Sequence, residues 1–180
     1  MIFSFVRRVG LLLLLGMLCV WLQGSFLRVF TGSSLWGTQG LVPNLCLIMG
    51  VFLAFYEVST LGAIITFFIG LELDLFSGVR IGPWAGTLVL LFGLIACFAQ
   101  RIFVESAFAG ILAVFFASLT SSIIYLLFVL DRTPINTMLL WHIFGEAVFT
   151  AILAPLFFKI LKKILYKREA VTGRMASQFG

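Results

Sequence analysis

An all-α membrane protein, a compact bundle of six transmembrane helices, is the architecture this sequence predicts, and three observations predict it. Mean hydropathy is +1.20, and 62% of the 180 residues are hydrophobic against only 11% charged; a water-soluble domain of this size does not tolerate that balance. A span needs about 17 to 25 residues, so the chain holds six or seven helices, read below as six, and has no room for a soluble domain beside them. Finally, six of the twelve Lys and Arg residues fall within 159–180, beyond the last apolar run. The net charge of +5 is therefore a topology signal and not the footprint of a nucleic-acid binder.

The spans are read as 9–29, 41–56, 60–76, 84–99, 105–129 and 136–158, which gives a transmembrane domain over 1–163 and a basic cytoplasmic tail over 164–180. The first follows Arg7 and Arg8 and has the flanks of a secretory signal. Its apolar run continues past Gly24 through "FLRVF" with no A-x-A-like site, so it reads as a retained span. Ser59 and Thr60 are N-cap candidates for the third span, and Pro83 stands where the fourth would start. Pro155 is expected to loosen the last span before its basic end. Cys19, Cys46 and Cys97 lie far apart in apolar runs and read as small packing residues.

Orientation follows from counting. Six spans put both termini on one side, together with Arg7, Arg8, Arg101, Lys159, Lys162, Lys163, Lys167, Arg168 and Arg174, while the other side holds Arg28, Arg80 and Arg132. Nine against three of the twelve places the N- and C-termini in the cytoplasm. Trp36, Trp84 and Trp141 then share the outer interface, with Trp21 in the outer part of its span.

The third span carries a row at i, i+4 spacing: Gly62, Thr66, Gly70, Asp74 and Gly78. One helix face is thus small and ends in a carboxylate. Small-xxx-small rows let backbones approach closely in membranes, so Gly62, Thr66 and Gly70 are candidates for helix packing or for receiving a partner's helix. Ala109, Ala113, Ala117 and Ser121 repeat the device in the fifth span, with Gly110, Ser118 and Ser122 beside them. The third and fifth helices are therefore expected to pair closely.

Asp74 lies about 21 Å along its helix from Thr60. A carboxylate near a helix C-terminus faces the negative end of the dipole and needs a local donor. Backbone N–H groups of the Ser77–Gly82 turn, the start of the fourth helix, and Arg80 are the candidates. Asp74, Ser77, Gly78 and Gly82 are read as a latch that shapes this outer turn, the alternative being a catalytic or ion-binding acid. Glu72 lies about 200° round the helix from Asp74, too far to form a catalytic pair with it.

In the sixth span His142, Glu146 and Thr150 form a second i, i+4 row. The plain reading of His142 and Glu146 is a hydrogen-bonded intramembrane polar pair that holds the helix in the bundle; a proton relay is the bolder one. A single His with no HExxH-like partner speaks against metal. No GxSxG elbow, no Ser/His/Asp order and no acidic cluster suited to Mg²⁺ is present, so no catalytic residue, cofactor or metal is assigned.

Pro43 and Asn44 opening the second span, the block "GLELDLFSGVRIGPWA" with Gly62 before it, and "LAPL" in a last span ending in Lys together resemble the rod shape-determining MreD family of bacteria. The resemblance covers about 41–163, and the "LDLFSG" block with Gly82 is its most specific part. It implies a multi-pass inner-membrane scaffold of the machinery that inserts sidewall peptidoglycan. The partners it implies are the MreC transmembrane helix, then RodA, a penicillin-binding transpeptidase and MreB, with membrane lipids at the basic tail. The implied fold is similar to the substrate-binding component of energy-coupling-factor transporters. Two rivals are carried: a small-molecule binding component of a vitamin-type transporter, and a membrane-embedded lipid-modifying enzyme using Glu72, Asp74, His142 or Glu146.

Overall fold

The structure is a computed structural model in which residues 2–27, 42–77, 82–99, 107–129 and 137–178 are described. Among these residues all regular structure is helical. Helix α1 spans Ile2–Trp21 and runs on as a π-helical segment, Leu22–Leu27. Then come α2 Leu45–Tyr56, α3 Thr60–Ser77, α4 Pro83–Ala99, α5 Ala107–Val129 and α6 Thr137–Gln178.

Boundaries follow local chemistry. Asn44 caps α2, its Oδ1 accepting from Leu47 N at 3.0 Å, so the helix starts after "PN" and not at residue 41. Ser59 caps α3 through Gly62 N at 3.2 Å. Pro83 is the first residue of α4, where its missing N–H costs nothing. At the other end of the chain α6 differs from expectation. It passes through Pro155 and extends to Gln178, so 164–178 continues the helix and is not a separate segment. Proline removes one backbone bond, but the turns on both sides remain hydrogen-bonded, and the chain continues.

Helix α2 is the axis. Leu45 to Ala54 are all buried, and α2 touches each of the other five helices. A helix apolar all round has no face for water and takes the centre of a bundle. Around it α3 packs most closely on α4, and α5 on α6, while α1 lies against α3. The expected α3–α5 pair is not among the main contacts. Each small-residue face is instead closed by the next helix in the chain, because short connections make consecutive helices antiparallel neighbours.

The five outer helices turn large apolar side chains outward, among them Leu14 on α1, Phe67 on α3, Leu94 on α4, Phe116 on α5 and Ile152 on α6. Two helical segments, Thr60–Ser77 and Leu139–Leu165, are long and apolar enough to cross a membrane by length and composition, and four shorter apolar helices accompany them.

Candidate functional site

The row from Gly62 to Asp74 is buried along its length. Gly62 and Gly70 lie in the core, with Thr66 at 0% and Asp74 at 1% exposure. A Cβ added at Gly70 would sit 2.5 Å from Ala85 Cα and 2.9 Å from Ala85 N, so the α3 and α4 backbones touch there and no side chain fits. One turn on, Asp74 reaches the start of α4. Its Oδ2 accepts from Gly82 N at 2.9 Å and Ala85 N at 3.0 Å, and its Oδ1 from Trp84 N at 3.0 Å.

A helix start leaves orphan N–H groups and a partial positive charge, and a carboxylate satisfies both. Here the cap belongs to the preceding helix. Gly82 at φ +118° is the left-handed residue that brings the chain back into this position. Ser77 Oγ donates to Asp74 O at 2.9 Å and ties the end of α3. Gly78 and Arg80 lie outside the described residues.

The same geometry corrects one expectation. Gly62, Thr66 and Gly70 offer nothing to a partner's helix, because this chain already covers them. Phe92 of α4 and the Glu57 carbonyl close over Gly62, and Thr66 donates to Gly62 O at 2.8 Å. On α5, Ala117, Ser118 and Ser121 are buried and Ala109 and Ala113 half-buried, while Phe158 of α6 stands 3.1 Å from where a Gly110 Cβ would be.

A second brace holds the start of α2. Thr150 Oγ1, fully buried on α6, accepts from Asn44 N at 3.1 Å and donates to Glu146 O at 2.7 Å. Gln23 Oε1, from the π-helical segment, accepts from Cys46 N at 3.2 Å. Leu45 N bonds Pro43 O at 3.1 Å. With Leu47 N held by Asn44, the first four N–H groups of this buried start are satisfied from three parts of the chain. The sequence offered signals for Asn44, a capping residue before an apolar run, and for Gln23, a lone amide in one, but nothing that paired them with Thr150.

His142 and Glu146 share a face of α6 and are half-buried, yet no hydrogen bond or ion pair joins their side chains. The pairing expected from i, i+4 spacing does not form, and the polar side-chain contact of this helix is made one turn lower, by Thr150. His142 Nε2 and Glu72 Oε2 are buried without a partner among the described residues. Cys19 and Cys46 are buried free thiols, and Cys97 is exposed. Among the described residues no group of three His, Cys, Asp or Glu could hold a metal ion.

At the opposite end of α2, Phe52, Phe55 and Tyr56 each meet Phe158 edge-on, Phe52 and Tyr56 lie tilted against each other, and Lys162 Nζ stands 4.4 Å from the Tyr56 ring centre. Fold and site together define an all-α bundle whose buried polar side chains brace helix starts. No family model matches the chain, and no curated protein or solved structure matches it.

Proposed function

We propose that this protein is a six-span integral membrane scaffold with both termini in the cytoplasm, similar in role to MreD. In this reading it maintains rod shape by holding MreC and neighbouring synthases of the bacterial elongation machinery, and it performs no reaction itself. The observation that carries the reading is what the buried polar groups do. Asp74, Asn44, Thr150 and Gln23 all face backbone N–H groups of this chain, so their chemistry maintains shape.

Support for the membrane comes from the outward side chains. Large apolar groups face outward on all five outer helices, and a soluble monomer rarely exposes such a surface. Exposed Lys159, Lys162 and Lys163 follow at the cytoplasmic end, where anionic lipid attracts them. With the Gly62 row closed, the MreC helix would meet one of the outward faces.

Depletion of the protein in its host tests the reading. Rounding of rod-shaped cells is the expected result. A nutrient requirement at unchanged cell width would overturn it in favour of the transporter component.

A further inference from the structure

The two flanks of the bundle differ in height. At the inner end, Lys162 of α6 lies over Tyr56, the last residue of α2, and α3 starts four residues later at Thr60. At the outer end, Thr150 is level with Asn44, where α2 begins. Between these two ties α2 and α6 run in parallel register, since Asn44 to Tyr56 and Thr150 to Lys162 are equal stretches of chain. From Thr150 to Lys162, helix α6 therefore runs alongside α2.

Beyond Thr150, α6 continues outward to Thr137, about 20 Å at 1.5 Å per residue. The other flank stops lower. Gly50 of α2 sits against Thr66 and Leu88, and α4 begins only five residues outward of Leu88, at Pro83. Asp74 holds that start against α3, which ends three residues later at Ser77. From the common inner level, α3 rises about 26 Å and α6 about 38 Å. Helix α5 accompanies α6, with Phe115 and Phe144 in edge contact at 6.0 Å.

The geometry points to a stepped membrane footprint: the α3–α4 flank fits a hydrocarbon layer about 10 Å thinner than the α5–α6 flank does, so the surrounding lipid thins on one side. This inference rests on the membrane reading of the previous section. Its occupant is lipid acyl chain, because both flanks present apolar side chains, Phe68 and Leu90 on one and Phe116 and Ile152 on the other. Tilting the whole bundle raises one flank as it lowers the other, so it shares the step between the two faces of the bilayer and leaves the difference in flank length unchanged.

Two exposed positions at nearly the same height, Gly86 on α4 and Ile152 on α6, allow a direct test. Nitroxide labels on Gly86→Cys and Ile152→Cys, each in a Cys97→Ser background, are compared in dioleoyl and dierucoyl phosphatidylcholine vesicles. Collision rates with oxygen and with a water-soluble nickel chelate report depth. The Gly86 label is expected about 5 Å or more shallower than the Ile152 label, and to stay shallow in the thicker bilayer. Equal depths would overturn the step while leaving the membrane reading intact. Free access of the nickel chelate to both labels would overturn the membrane reading itself. Leu90→Cys, one turn deeper on the same face, repeats the measurement if Gly86→Cys folds poorly.

Discussion

Two helix starts are braced in this bundle, and they are braced differently. At the start of α4 a single carboxylate, Asp74, takes three backbone N–H groups located 8, 10 and 11 residues further along the chain. At the start of α2 the same task is divided among neutral groups, with Thr150 reaching back across 106 residues and Gln23 across 23. The first brace is charge-assisted and local; the second is neutral and closes the bundle over distance. A carboxylate is tolerated in the first because its donors lie at a positive helix end and arrive with the next turn of chain. The second joins α1, α2 and α6, so it can form only when those three helices meet.

The largest expected effect is at Asp74. Asp74→Leu strands three donors at about 1–3 kcal/mol each, so the variant should fail to give a monodisperse protein in detergent. Asp74→Asn retains one accepting oxygen and should melt below the wild type but above Asp74→Leu. Wild-type melting of Asp74→Leu would remove the distinction between the braces. Gly70→Leu comes next, since it forces the α3 and α4 backbones apart and draws Asp74 from its donors. The two substitutions should therefore be strongly non-additive in a double-mutant cycle, and additivity would show that close approach and capping are independent.

Thr150→Val tests the distributed brace, with a loss of about 1–3 kcal/mol for one unsatisfied buried N–H, while Thr150→Ser should retain the bond. If Thr150→Val cost as much as Asp74→Leu, the distributed brace would be no more tolerant than the single one. The smallest effect is expected at Lys162→Gln, about 0.5–1 kcal/mol for an exposed cation–π contact, read as a small shift in melting temperature.

How much was legible follows the same division. The existence and order of all six helices were readable, because each depends on an apolar run, but not all their ends: α2 begins four residues later than expected and α6 runs 20 residues further. The donors of Asp74 were readable in kind, because they lie within one turn of chain. The pairing of α3 with α4 in place of α5 was not, since small residues at i, i+4 declare that a helix can be approached and not by which neighbour. His142 and Glu146 show the same limit: their spacing put them on one face, but which polar group on that face finds a partner depended on where α2 begins.

The sequence alone determined the number of helices, the start signals of α3 and α4 and the face of α3 that must be small, for these follow from hydropathy, backbone donors and steric size within a few residues. Tertiary structure alone decided that α2 is the buried axis, that Thr150 and Gln23 complete its start, and that one flank stands higher than the other. Such features depend on which distant segments share a level in the bundle, and residue spacing along one helix carries no information about another helix's height.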